Sequence, residues 1–190
     1  MVSMEELRQY CQDCQLCGLG ATRKNLVFGD GNPEADIMFI GEGPGKQEDE
    51  QGIPFVGAAG QFLSRILEII DLDRSRYYIA NIVKCRPPRN RDPEPAEQDA
   101  CIPYLNDQIK LVQPKIIVCL GRIAAARLIR SGYRITREHG TWVQQDGIWM
   151  TAIYHPSALL RDDSKRPETF DDLRSIRAKI LEVCPEVYDS

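Results

Sequence analysis

Asp36-Ile-Met-Phe-Ile-Gly-Glu-Gly-Pro-Gly45 is the stretch that decides the fold of this chain. Four consecutive apolar residues stop at a glycine-rich turn, the pattern of a strand buried on both faces that ends in a loop. Three further segments share the plan: Tyr77-Tyr-Ile-Ala-Asn-Ile-Val83 runs into Lys-Cys-Arg-Pro-Pro, Lys115-Ile-Ile-Val-Cys-Leu120 meets Gly121, and Trp149-Met-Thr-Ala-Ile-Tyr154 meets His-Pro-Ser. Between them the apolar spacing becomes helical. In Ala58 to Leu72 the residues Phe62, Leu63, Ile66, Leu67 and Ile70 recur at intervals of three and four and form one face. Pro95 to Val112 has a similar phase, with Pro103 predicted to weaken or kink it. Arg122 to Ile129 and Glu168 to Val183 read as further helices. Strands alternating with helices imply an α/β class with a parallel sheet covered on both faces. In such sheets the functional groups sit in loops beyond the carboxyl ends of the strands.

The 190 residues fit one domain, with no internal repeat or interdomain linker, and 43% hydrophobic with 27% charged residues is ordinary for a globular protein. No apolar run approaches the ~20 residues that cross a bilayer. Met1 to Tyr10 is polar and acidic, unlike a signal peptide, so a cytoplasmic protein is expected. The net charge of −4 offers no global attraction to nucleic acid, so a DNA-binding reading must rest on a local basic patch.

A reducing compartment disfavours disulfides, and the seven cysteines cannot all pair within the chain. Cys14-Gln-Leu-Cys17 is a C-x2-C pair, followed by Cys85 in a proline-rich loop and Cys101 early in a helix. Thiolates three apart in a turn can grip one metal or cluster, and four suit either zinc or a [4Fe–4S] group. Cys11 offers a competing C-x2-C with Cys14, so spacing leaves the register open. Cys119 in an apolar strand and Cys184 in the terminal helix read as core.

The strand-end residues carry the remaining chemistry. Gly41-Glu-Gly-Pro-Gly45 can expose backbone amides to a ligand, but it lacks the spacing and Lys-Ser/Thr ending of a phosphate loop. Phe55, between Pro54 and two glycines, is either a core plug or a platform on which a base stacks. Asn81 in an apolar strand is either satisfied by backbone or matches the donor–acceptor edge of a pyrimidine. His155 stands at a strand end, whereas His139 reads as ordinary surface. In Ala158-Leu-Leu-Arg161 the leucines either pack inward or act as wedges between bases. Lys84 to Arg91, with Arg86 and Asn90, and Arg161 to Arg166 can hold phosphates.

Together these pieces resemble the family 4 uracil-DNA glycosylases, the iron–sulfur branch of that superfamily. The resemblance rests on Cys14-x2-Cys17, Gly41-Glu-Gly-Pro-Gly45, Pro54-Phe-Val-Gly57, Tyr78-Ile-Ala-Asn-Ile-Val-Lys-Cys85-Arg-Pro-Pro, Cys101 and His155-Pro-Ser-Ala-Leu-Leu-Arg161, in that order. It implies a three-layer α/β/α sandwich around a short, mainly parallel central sheet. It also implies a [4Fe–4S] cluster on Cys14, Cys17, Cys85 and Cys101 with Cys11 spare, because Cys17 precedes Arg23 by six residues as in the family. The implied substrate is uracil in single- or double-stranded DNA, acted on by a monomer. Phe55 would stack on the flipped uracil, Asn81 would bind around N3 and O4, and His155 would donate to O2 with backbone amides of Gly41 to Gly43 assisting. Leu159 or Leu160 would fill the vacated stack. Better-known superfamily members carry Asp where this chain has Gly43, which leaves Glu42 or Glu48 to handle water or the sugar cation. The alternatives are a non-catalytic metal-bearing DNA-binding module, which leaves Glu42, Phe55, Asn81 and His155 unexplained, and a nucleotide-binding enzyme, which lacks a phosphate-gripping lysine.

Overall fold

The structure is a computed structural model that describes residues 2–189. Six strands form one sheet: β1 Asp30–Gly31, β2 Ile37–Gly41, β3 Tyr78–Asn81, β4 Ile116–Leu120, β5 Val143–Gln145 and β6 Ile148–Ile153. Their spatial order is β1-β3-β2-β4-β6-β5. The four inner strands are parallel, and the short outer strands β1 and β5 pair antiparallel. The helices are α1 Met4–Gln12, α2 Leu19–Thr22, α3 Lys46–Gln51, α4 Ala58–Glu68, α5 Pro95–Val112, α6 Arg122–Leu128, α7 Ile135–Glu138, α8 Pro156–Arg161 and α9 Arg166–Val183.

Alternation along the strands builds two cores. Met38 and Ile40 of β2 and Ile117 and Cys119 of β4 pack with Leu105 of α5 and Ala124 of α6. Ile37, Phe39, Ile116 and Val118 face the other way, onto Leu63 and Leu67 of α4 and Ile176 of α9. This is the three-layer sandwich expected, and the near-continuous apolar runs follow from burial on both faces. The chain leaves β2 for β3 on one side, then crosses by α5 to β4 on the other. That reversal opens a crevice at the carboxyl ends of β2 and β4.

Several local expectations need correction. Pro103 lies inside α5, which is continuous to Val112. It lies on the exposed face, where the carbonyl that loses its partner can turn to water. The third strand ends at Asn81 rather than Val83, although Ile82 and Val83 still donate to the carbonyls of Gly41 and Glu42. The segment of Leu159 and Leu160 is helix α8, not a loop. Its N-terminus is set by His155 as cap and Pro156 in the first turn, where a missing N–H costs nothing. The edge strands, α3 and α7 carry too few apolar residues to announce themselves by period, whereas α1 has Met4, Leu7 and Cys11 at helical spacing behind a Ser3–Glu6 capping box. No helix among the described residues is long and apolar enough to cross a membrane.

Candidate functional site

A cleft of about 640 Å³ opens over the crevice, lined by residues following β2, β3, β4 and β6 together with the basic loop. Its floor is assembled by close backbone approaches. A side chain at Gly41 would meet Phe55 Cζ at 2.6 Å and Asn81 Oδ1 at 2.7 Å, so glycine is needed for those groups to meet. Gly41 is thus a spacer beneath the site, while Glu42 and Gly43 line the cleft itself. A Cβ at Gly60 would sit 2.1 Å from the Phe55 carbonyl. Phe55 has a left-handed φ of 55°, unusual for an aromatic residue. Arg74 holds that turn by donating to the carbonyls of Pro54 and Phe55. The Phe55 ring lies 6.0 Å from the His155 ring at an interplanar angle of 31°.

Asn81 is 2% exposed, and its Oδ1 has no hydrogen-bond partner. A buried carbonyl oxygen without a donor is rare enough to need a reason, and a ligand is one. His155 Nδ1 accepts the backbone N–H of Ser157 at 3.1 Å and lies 2.8 Å from Ser157 Oγ. A backbone amide can only donate, so in the neutral ring the proton sits on Nε2. Burial, helped by Arg161, pulls the His155 pKa down to about 4, which keeps the ring neutral around physiological pH.

The two candidate glutamates separate. Glu48 Oε1 accepts from the amide of Gly45 at 3.0 Å, and Oε2 accepts from those of Val56 and Gly57 at 2.9 and 2.7 Å. Both oxygens accept from amides and so join the two glycine loops. Glu42 instead lies beside Asp92, which pairs with Arg122. Burial, then the contact with Asp92, pushes Glu42 up to about 7. Arg122 and the same contact hold Asp92 below the usual carboxylate range. Asp92 and Arg122 were missed from sequence. The only signals were an acid inside a basic loop and an arginine directly after Gly121.

Leu159 is 0% exposed and belongs to the core, which removes it as a wedge. Leu160 is 42% exposed, beside Arg161 at the cleft rim. Arg86 does not line the cleft; its Nε braces Asn90 Oδ1 at 2.8 Å, and Asn90 does line it. His139 is not ordinary surface. It lies between Asp172 at 2.7 Å and Glu168 at 3.0 Å, against Tyr154.

On the α1–α5 side, Cys11, Cys14, Cys17, Cys85 and Cys101 line one small pocket with Lys84 and Tyr104. Burial pushes the Cys85 thiol up to about 11 and raises that of Cys101, against which Arg23 donates to Cys85 Sγ at 3.5 Å and the Lys84 amide to Cys101 Sγ at 3.3 Å. Among the described residues no three or more His, Cys, Asp or Glu side chains are grouped to hold a metal ion. Cys119 and Cys184 are buried elsewhere, in the sheet core and just past α9.

Residues 28–177 match the Uracil DNA glycosylase superfamily. The chain is similar to the type-4 uracil-DNA glycosylase of Sulfurisphaera tokodaii, with 41% identity over 99% of this chain and 89% of the relative. It is 39% identical to that of Archaeoglobus fulgidus, over 100% of this chain and 99% of the relative. A type-5 uracil-DNA glycosylase of Thermus thermophilus is 34% identical over 69% of this chain and 68% of its own.

Proposed function

The chain belongs to the uracil-DNA glycosylase superfamily, and from that premise we propose that it removes uracil from DNA to leave an abasic site. The observation that carries this reading is the unpartnered Asn81 Oδ1, buried in the cleft to which neutral His155 also contributes. Flipping the nucleotide out of the stack brings the base into that cleft. Uracil presents N3–H to Asn81 Oδ1 and O4 to the amide N–H, with its face on Phe55. As the C1′–N1 bond breaks, its electron pair stays on the uracil ring, and the Nε2–H of His155 stabilises the charge on O2. Water then adds to C1′ and gives its proton to Glu42 or to solvent. Leu160 fills the gap, while Arg161 and Asn90 contact the flanking backbone and Arg86 supports Asn90. Incubation with single- and double-stranded oligonucleotides carrying one uracil should yield alkali-labile abasic sites in at least one of them. Intact strands in both would reject the assignment.

If Glu42 receives the proton, its pKa of about 7 should govern the rate. A base must be ionised, so excision should rise with pH through about 7 and level off above. Removing Asp92, which pushes that pKa up, should move the inflection to lower pH. A pH–kcat/KM profile of the wild type and Asp92→Ala tests this. A profile flat from pH 5 to 9 would exclude Glu42 as the base, and a rate falling through 7 would make it an acid.

Cys14, Cys17, Cys85 and Cys101 would hold a [4Fe–4S] cluster. The residues fit such a group, since each iron takes its own thiolate and the sulfurs need not converge on one ion. When bound, the cluster would tie the N-terminal segment to the loop that supplies Asn90 and Asp92. Purified protein should be brown, with broad absorbance near ~400 nm from thiolate-to-iron charge transfer. Cys17→Ser should bleach it and Cys11→Ser should not; zinc in colourless, fully active protein would overturn the ligand assignment. We take the enzyme to be a monomer of one domain that acts in the cytoplasm, where the milieu keeps thiols reduced.

A further inference from the structure

Lys84 has 0% exposure, yet it is charged in type and the excision chemistry has no use for it. Its Nζ donates to the Asn81 carbonyl oxygen at 3.0 Å and to Gln108 Oε1 at 2.6 Å. Gln108 is held in turn, its Nε2 donating to the Phe28 carbonyl at 2.9 Å and to the Tyr78 hydroxyl at 3.2 Å. The Phe28 ring centroid lies 5.9 Å from Nζ. Each of these partners is neutral, and among the described residues Lys84 forms no ion pair with a carboxylate.

A buried ammonium surrounded only by neutral dipoles is expensive, and such a group persists where a negative charge lies close by or else gives up its proton. The groups at hand that can carry negative charge are the cysteine sulfurs, for Lys84 lines their pocket. Its backbone N–H already donates to Cys101 Sγ at 3.3 Å. The other end of its reach is the residue whose side chain lines the excision cleft, three positions earlier in the chain. Lys84 therefore touches both sites, through its backbone N–H at Cys101 Sγ and through its ammonium at the Asn81 carbonyl.

We infer that Lys84 is the counter-charge of the anionic cysteine site and the strut that holds Asn81 in position, so that the state of one site is felt at the other. This rests on the cysteine pocket holding an iron–sulfur group. Four thiolates around such a group carry excess negative charge, and nearby charge and hydrogen bonds set its reduction potential. Removing a positive charge next to it makes adding an electron harder. Losing the bond to the Asn81 carbonyl lets that residue shift, which weakens uracil binding without touching the phosphate contacts.

Two variants separate the parts. Lys84→Gln keeps a donor for the Asn81 carbonyl and removes the charge; Lys84→Met fills the space and removes both. Iron per chain, the reduction potential of the bound group and KM for a uracil-containing oligonucleotide are measured on each purified holoprotein. Affinity for the same strand lacking uracil serves as the DNA-binding control. The expected result is a shift to more negative potential, or a loss of iron, in both variants. KM should rise about 10-fold in Lys84→Met, the scale of losing one hydrogen bond to a charged donor, and less in Lys84→Gln. Wild-type potential and iron content in both variants would overturn the counter-charge role. An unchanged KM in Lys84→Met would overturn the strut. Should Lys84→Met fail to fold, Lys84→Gln still decides the charge by its potential, and Lys84→Leu, which also removes both charge and donor, takes its place for KM, an unchanged KM there overturning the strut. Wild-type protein free of iron would instead reject the iron–sulfur reading, and this inference with it.

Discussion

His155→Ala should slow single-turnover excision of uracil by about 10²–10³-fold, with the fold and DNA binding retained. The magnitude follows from what the residue supplies. Its Nδ1 lone pair is taken by the Ser157 amide, which directs the only ring proton to Nε2. With the pKa lowered to about 4 the ring stays neutral, so the donor gains no charge in the ground state and needs no reorganisation as the uracil becomes anionic. Such a preorganised donor acts on the transition state more than on the bound base, so kcat should fall and KM change little. Gly121 packs against the His155 Cβ, which alanine retains, but alanine also removes the cap on the Ser157 amide, so thermal stability is measured alongside. The competing source of catalysis is Glu42. Because bond cleavage of this kind develops charge on the leaving base before water adds, Glu42→Gln should cost less than His155→Ala. If Glu42→Gln abolishes turnover while His155→Ala barely slows it, the leaving-group account is wrong and Glu42 is the main catalyst.

The second large effect is at Asn81. A cleft built to hydrogen-bond one edge of a base rejects a mismatched edge by about 10⁴-fold, because buried polar groups are then left unpaired. Asn81→Asp presents a carboxylate that accepts from N3–H but cannot donate to O4, and it sits in a position with 2% exposure. Excision of uracil should fall on the order of 10⁴-fold. Cytosine, whose amino group is a donor, should gain slight activity. Asn81→Ala serves as the control for the buried charge: it should also lose uracil excision but gain nothing on cytosine. Rates on paired uracil and cytosine substrates, with thermal stability measured alongside, check both expectations. Wild-type uracil excision by Asn81→Asp would remove Asn81 from the pocket.

Strand and helix periods act over a few residues, and here they marked the four parallel strands, the long helices and the loops where chemistry gathers. The end of β2 at Gly41, the histidine after β6 and the amide at the end of β3 were legible because buried strands leave little else polar in sight. The C-x2-C pair was legible for the same reason, as a local spacing with a chemical meaning. What depends on distant segments was not. Glu48 is tied to amides eight and nine residues away, which only the packed loops bring to it. Leu159 and Leu160 are neighbours in sequence, and the angle of α8 on the sheet decides that one is core and the other faces solvent. Glu42 acquires its altered acidity from its burial and then from Asp92, fifty residues on, and Lys84 its burial from Gln108 and Phe28. Composition and period report what each residue prefers; the tertiary structure decides which neighbours it gets, and charge, burial and pKa are properties of neighbours.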